Sequence, residues 1–117
     1  MTDNAKELCR HFQRGDARTL RIADEADLSG FPVKANECHM NVAQWVVVNA
    51  GHLHVRGWLV TESTDGCIFD KHSVVGIGAD LLDITPRSDQ FVRRFLPYEG
   101  TPEEFELLRS QVIAISN

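Results

Sequence analysis

The chain has 117 residues, of which 43% are hydrophobic and 25% are charged, and its formal net charge is −5. This length lies within the range of one domain, so we expect residues 1–117 to form a single domain around one core. The acidic balance argues against nucleic acid or an anionic membrane surface as the main partner. No segment approaches the ~18 apolar residues of a membrane span, and the polar N-terminus lacks the apolar region of a secretory signal.

The cysteines indicate a reducing environment. Cys9, Cys38 and Cys67 are an odd set, so they cannot all pair in disulfides. We therefore expect three free thiols and a cytoplasmic location. A domain exported without a cleaved signal would show the same pattern.

The N-terminal section is predicted to be helical. Apolar residues recur at helical spacing from Ala5 to Phe12, which predicts a helix over residues 3–13 that stops at Gly15. Residues 17–28 predict a second short helix or an irregular turn. The Gly- and Pro-containing break at residues 29–32 ends this section.

Residues 36–50 carry apolar side chains nearly all round, which is typical of a central, mostly buried element. Three consecutive valines, at 46–48, favour a strand, but the length of the segment favours a helix. Asn36 is the candidate N-cap and Gly51 the candidate stop. In this interpretation Cys38 falls in the first turn of the helix.

The next part of the chain has the composition of strands. β-Branched and aromatic residues alternate with Gly- and Asp-containing turns, which predicts three consecutive antiparallel strands. They cover residues 53–62, 68–76 and 80–85. A fourth extended segment is predicted over residues 91–96, ending at Pro97.

A final helix is predicted over residues 102–112. Thr101 has the side chain of an N-cap, and Pro102 stands where a first-turn proline is favoured. Together these elements predict an α+β fold with a central helix packed on a small antiparallel sheet.

Cys38 is the first candidate for chemistry. The thiolate is the reactive form of cysteine, and the partly positive N-terminus of a helix is one place where the pKa of a thiol is lowered. The alternative is a buried, inert thiol, which is the commoner role of a free cysteine.

His72 and Asp83 are the next candidates. A tight turn centred on Ile77-Gly78 would place them directly opposite each other on neighbouring strands, and any even-length loop keeps them on one face. An aspartate in that position can hold the imidazole and fix its tautomer. Alternatively, His72 is a half-exposed strand residue that meets Asp70, and Asp83 is a turn former at a strand end.

Three segments carry a resemblance to a known family. They are Asn36-Glu37-Cys38, His72-Ser73-Val74-Val75 and Leu82-Asp83-Ile84-Thr85-Pro86. Their order over about residues 36–86 resembles the papain-like cysteine-enzyme superfamily, especially its transglutaminase-like branch. In that family a cysteine opens a central helix on an antiparallel sheet, a histidine lies on the following hairpin, and an aspartate ends the next strand. This chain has Glu37 and His39 where small residues often flank the cysteine, and no clear upstream oxyanion glutamine.

The resemblance implies a Cys-His-Asp triad. Cys38 would attack a carbonyl carbon, His72 would act as general base and then acid, and Asp83 would orient His72. The Cys38 amide would bind the developing oxyanion, with a second donor from Asn36 or Gln44. The implied reaction is acyl transfer through a thioester, without a cofactor, on a protein or peptide-like substrate, as in amidases, peptidases, deamidases and transglutaminases.

Two other hypotheses remain open. A noncatalytic protein-binding module would use the sheet face or the segment 87–100, whose arginines and aromatics are types enriched at interfaces. Those residues are Arg87, Arg93, Arg94, Phe91, Phe95 and Tyr98. A zinc site is less favoured, because paired metal-ligand spacing is missing, and we expect no metal. Its candidate ligands are Cys38, His39, His52, His54 and His72.

Overall fold

The computed structural model describes residues 3–63, 66–87 and 93–114, which form both helices and β-strands, as the α+β prediction requires. The elements in chain order are α1 (Asp3–Gln13), β1 (Arg18–Thr19), β2 (Arg21–Ile22), α2 (Glu25–Leu28), α3 (Cys38–Val48), β3 (Leu53–Ser63), β4 (Gly66–Ile77), β5 (Asp80–Asp83), β6 (Arg94–Pro97), α4 (Pro102–Glu106) and β7 (Gln111–Ala114). Within the described ranges, no helix is long and apolar enough to cross a membrane.

The chain divides into two compact units. The first comprises Met1–Thr19, Gly57–Lys71 and Arg93–Asn117, and the second comprises Leu20–Arg56 and His72–Val92. Strands β3 and β4 therefore each contribute one part to each unit. The expectation of a single domain stays a prediction.

The first unit contains strands in the order β1, β6, β3, β4, β7. The pairs β1–β6, β3–β6 and β4–β7 are antiparallel. Helix α1 forms over the predicted residues and buries Ala5 and Leu8 in the core of this unit, where Trp58 and Phe105 are also buried. Gly57 lies where β3 passes close to β6, because a Cβ at this position would stand 2.3 Å from the Leu96 carbonyl oxygen.

Helix α4 is shorter than the predicted helix 102–112. It begins as predicted, with a capping box between Thr101 and Glu104 and a proline in its first turn. It ends at Glu106, and residues 111–114 form β7 instead. Pairing with the Gly66–Phe69 part of β4 satisfies the backbone of this segment, and such a non-local contact overrides local helix propensity. The predicted strand 91–96 is found as β6, while residues 91–92 lie outside the described ranges.

In the second unit, α3 is one-sided rather than buried all round. Its buried residues are Asn41, Val42 and Trp45, whereas Val47 is 82% exposed. Val42 and Trp45 pack against residues of β4 and β5 in the core of this unit, which gives the predicted contact between the central helix and strands. The core consists of Val42, Trp45, Val75, Leu82 and Ile84.

The start of α3 differs from the prediction by one residue. Glu37, not Asn36, is the N-cap, and it makes no side-chain capping hydrogen bond. Asn36 has a φ of 63°, in the left-handed region that asparagine tolerates better than most residues, so it belongs to the preceding turn. Cys38 is consequently the first residue of the helix.

The segment predicted as a second helix contains mainly other structure. Residues 18–22 form β1 and β2, and only Glu25–Leu28 is helical, with a capping box between Asp24 and Asp27. Strand β2 runs parallel to β5, so the sheet is mixed rather than purely antiparallel. The helix α2 ends at the predicted break, where Ser29 and Gly30 both have positive φ.

The β4–β5 hairpin is shifted by one residue from the predicted turn. Ile77 pairs with Asp80, so the loop consists of Gly78 and Ala79 rather than being centred on Ile77-Gly78. Gly78 supplies the positive φ of 59° that this two-residue turn requires. His72 is therefore diagonal to Asp83 rather than directly opposite, although the even-length loop keeps both on one face.

We predict that Phe105→Ala lowers the free energy of unfolding by about 3–5 kcal/mol, because it empties a fully buried site. The Phe105 ring centroid lies 5.5 Å from that of Trp58 and 5.3 Å from that of Tyr98. Urea denaturation measures the effect. Leu107→Ala is the control, since Leu107 is 83% exposed and its loss should change the stability by no more than about 0.5 kcal/mol. Equal effects of the two substitutions would contradict this description of the core.

Candidate active site

Cys38 combines two features that favour a reactive thiol. As the first residue of α3, it lies at the positive end of the helix, and its backbone N–H has no partner within the helix. Its side chain is a free thiol and is half-buried, so it is accessible to small molecules yet shielded from much of the solvent. A reagent can therefore approach a sulfur atom whose environment is fixed by the protein.

The structure brings His72 and Asp83 together with this thiol. Nε2 of His72 lies 3.1 Å from Oδ1 of Asp83, and both side chains are buried. A further side-chain hydrogen bond joins His72 to Cys38. Because Nε2 is engaged by Asp83, Nδ1 is the ring nitrogen available to the thiol. The order thiol, imidazole, carboxylate is the arrangement of a nucleophile, a base and an orienting group.

The ionisation of the thiol and of the imidazole is shifted in opposite directions. Burial acts to raise the pKa of Cys38, but hydrogen bonds and positive charge from His39 and His72 outweigh it and lower the pKa to about 6. Burial acts to lower the pKa of His72, but Asp83 and Cys38 outweigh it and raise the pKa to about 9. Between about pH 6 and pH 9, the resting pair is therefore thiolate and imidazolium.

The Asp83 carboxylate is hydrogen-bonded through Oδ1 and lies near an arginine through Oδ2. Its Oδ1 also accepts a hydrogen bond from the Thr85 amide at 3.3 Å, and its Oδ2 lies 3.8 Å from Nε of Arg87. The backbone carbonyl of Asp83 accepts a hydrogen bond from the Ala23 amide at 2.9 Å. In the sequence, Arg87 was a candidate interface residue, and only its spacing of four residues from Asp83 could have indicated this contact.

A second imidazole, His39, also contacts the thiol. Its side chain hydrogen-bonds Cys38, and its Nδ1 is hydrogen-bonded to Oγ of Ser73. The same Ser73 oxygen lies 2.8 Å from Nε2 of His54. Burial, the positive charge of Arg56 and the charge of His39 lower the pKa of His54 to about 4. In the sequence, His39 and His54 were candidate metal ligands, and Ser73 was not a candidate site residue.

The two predicted oxyanion residues are both exposed. Asn36 is exposed and belongs to the turn before α3. Gln44 is exposed and lies six residues after Cys38, which on a helix corresponds to about 9 Å along the axis and a different face. Helical geometry therefore directs Gln44 away from the thiol.

Two observations concern the residues of the alternative hypotheses. In the described ranges, no group of three or more His, Cys, Asp or Glu side chains is arranged to hold a metal ion. In the segment 87–100, Phe95 is fully buried, Arg93 bonds Thr61, and Arg94 pairs with Glu62. Phe91 lies outside the described residues. Three of the six side chains proposed for an interface thus have contacts within the first unit.

Comparisons with known proteins give no further assignment. No family model matches the chain, and no curated protein and no solved structure is significantly similar to it. The function of the protein must therefore be inferred from its residues and their geometry.

We predict that iodoacetamide alkylates Cys38 with a pH midpoint of about 6, because the thiolate is the reacting form. His72→Ala should move this midpoint upwards, towards the value of about 8.5 of an ordinary thiol. The midpoint is the appropriate quantity, because a thiolate with a lower pKa is also less nucleophilic and the two effects partly cancel in the rate. Site-resolved mass spectrometry measures it.

Cys67 is the internal control for this experiment. Burial and the nearby Glu62 raise the pKa of Cys67, so its alkylation should begin only at high pH and should not respond to His72→Ala. A Cys38 midpoint equal to that of Cys67 in the wild-type protein would contradict the assignment of an activated thiol.

Proposed function

We propose that this protein is a cysteine-dependent acyl-transfer enzyme with a Cys38-His72-Asp83 triad of papain-like type. One observation carries the proposal. A half-buried thiol at the start of a helix is hydrogen-bonded to a buried imidazole, and that imidazole is bound to a buried carboxylate. Each residue alone has a structural explanation, but the three in contact form a nucleophile, a base and an orienter.

In the first half-reaction, the Cys38 thiolate attacks the carbonyl carbon of an amide or ester and forms the C–S bond. The negative charge moves to the carbonyl oxygen, where the Cys38 amide can donate a hydrogen bond. Collapse of this intermediate breaks the bond to the leaving group, which takes a proton from the His72 imidazolium. The products are a thioester on Cys38, a neutral His72 and a free amine or alcohol.

In the second half-reaction, neutral His72 accepts a proton from water or from an acceptor amine as that nucleophile attacks the thioester. The C–S bond breaks, and its electron pair returns to sulfur as the thiolate. Water gives hydrolysis, as in an amidase, peptidase or deamidase, whereas an amine gives transfer, as in a transglutaminase. Asp83 keeps the imidazole oriented through both steps and stabilises its protonated form.

The proposed substrate is a protein or a peptide-like molecule. The proposed location is a reducing compartment such as the cytoplasm. The chemistry needs Cys38 as a free thiol, and all three cysteines are free. An acidic protein with net charge −5 does not favour anionic polymers as substrates. The noncatalytic alternative has less support, since Phe95, Arg93 and Arg94 are engaged inside their own unit.

The direct test is capture of the acyl-enzyme with p-nitrophenyl acetate. The expected result is a burst of p-nitrophenol release and an acetyl group located on Cys38 by mass spectrometry. Cys38→Ser should abolish both, while Cys67→Ser should abolish neither. Acetylation spread over all exposed nucleophiles, without a burst, would overturn the proposal.

The pH dependence of this reaction tests the role of Asp83. In the wild-type protein, the rate of acetylation should rise near pH 6 as Cys38 ionises and fall near pH 9 as His72 loses its proton. Asp83→Asn removes the charge that raises the pKa of His72, so the basic limb should move down by about one pH unit or more. The rate at the optimum should also fall.

Asp80→Asn is the matched control, because Asp80 lies on the same strand but is exposed. It should leave both limbs of the profile unchanged. A basic limb that stays near pH 9 in Asp83→Asn would show that the carboxylate does not act on His72.

A further inference from the structure

The thiol is in contact with two imidazoles, and the triad uses only one of them. The His39 side chain hydrogen-bonds Cys38, and its Nδ1 hydrogen-bonds Oγ of Ser73. Because Nδ1 is the nitrogen at Ser73, Nε2 is the nitrogen available to the thiol. His39 is thus placed at the reacting sulfur without a role in the proton transfers assigned to His72.

The Ser73 hydroxyl links His39 to a third imidazole, that of His54. Ser73 is completely buried, and its oxygen is shared by Nδ1 of His39 and Nε2 of His54. A hydroxyl has one proton to donate, so it donates to one imidazole and accepts from the other. The two imidazoles are therefore coupled through this hydroxyl group.

The thiolate determines the direction of its hydrogen bond with His39. The hydrogen bond from His39 lowers the pKa of Cys38, so His39 donates to the sulfur and carries its proton on Nε2. Its Nδ1 is hydrogen-bonded to the Ser73 hydroxyl, which fixes the orientation of the ring. Burial and neighbouring positive charge lower the pKa of His54 to about 4, so near neutral pH it is an uncharged imidazole with one N–H.

We propose that His39 is a catalytic residue of this site, in which its Nε2–H is the second hydrogen-bond donor to the oxyanion formed during acyl transfer. Ser73 and His54 are positioning residues that hold the His39 ring in this orientation. The inference rests on the proposed function and assigns the donor for which Asn36 and Gln44 were the sequence candidates.

The movement of charge during the reaction explains why a donor at the thiolate suits this role. Before attack, the negative charge is on Sγ of Cys38. As the C–S bond forms, the charge moves to the carbonyl oxygen two bonds from that sulfur. An N–H held beside the sulfur needs only a small displacement to follow the charge to the carbonyl oxygen, where the Cys38 amide also donates. A donor placed in this way before the reaction lowers the barrier, because little reorganisation is needed.

The test compares two reactions of the same sulfur atom. p-Nitrophenyl acetate is attacked at a carbonyl and forms an oxyanion, whereas iodoacetamide is displaced at a saturated carbon and forms none. Both rates are measured at one pH below the basic limb of the acetylation profile and divided by the thiolate fraction of each variant, so that differences in thiol pKa do not enter. His39→Ala should slow acetylation by about tenfold to a hundredfold, which is at or below the lower end of the usual effect of removing one oxyanion donor. Alkylation should change by less than about threefold.

Two further variants separate hydrogen bonding from packing. His39→Gln returns a side-chain N–H and should recover much of the acetylation rate lost in His39→Ala. Ser73→Ala leaves His39 in place but removes its orienting partner, and should slow acetylation while sparing alkylation. His11→Ala, in the first unit, is the control and should change neither rate.

Each outcome is informative. If His39→Ala slows both reactions equally or slows neither, His39 is not an oxyanion donor, and the inference is overturned while the triad stands. If the wild-type protein shows no burst with p-nitrophenyl acetate, the proposed function itself fails. Selective loss of acetylation in His39→Ala, with recovery in His39→Gln, supports the assignment.

Discussion

The buried carboxylate of Asp83 is the constraint around which the candidate site is organised. A side chain that is 1% exposed and carries a negative charge is costly unless partners compensate for its lost hydration. His72 supplies one partner, the Thr85 amide a second, and Arg87 lies nearby on the other oxygen. Removing any one of these partners leaves the negative charge of Asp83 less compensated in a buried environment. The end of β5, His72 and Arg87 therefore stabilise one another's positions.

Local features of this chain could be predicted from the sequence. The apolar spacing of α1, the capping box and first-turn proline of α4, and the three central strands each depend on neighbouring residues. Cys38 at the start of a helix follows from the same kind of signal. The contact between His72 and Asp83 could be predicted because a short even-length hairpin loop keeps two such positions on one face.

The remaining features depend on contacts distant in sequence. The helical pattern predicted after Glu106 gives way to β7 because that segment pairs with β4, and β2 forms because it pairs with β5. The hairpin register moved by one residue because Gly78, rather than Ile77, takes the positive φ of the turn.

The same limit applies to the second set of polar residues at the thiol. His39 precedes Ser73 by 34 residues and His54 precedes it by 19, so no local pattern connects them. A histidine beside a cysteine has too many ordinary explanations to be singled out from a sequence alone. Complete burial of the Ser73 hydroxyl between two imidazole nitrogens gives His39 its significance, and burial of that kind is a property of the folded protein.

The parallel pairing of β2 with β5 ties the orienting carboxylate to a distant part of the chain. Ile22 lies beside Asp83 in the ladder, and the Ala23 amide bonds the Asp83 carbonyl. A proteolytic cut after Ala23 would release this edge while leaving Cys38, His72 and Asp83 in the same polypeptide. Such a cut would loosen the strand that carries Asp83 without removing Cys38, His72 or Asp83 from the polypeptide.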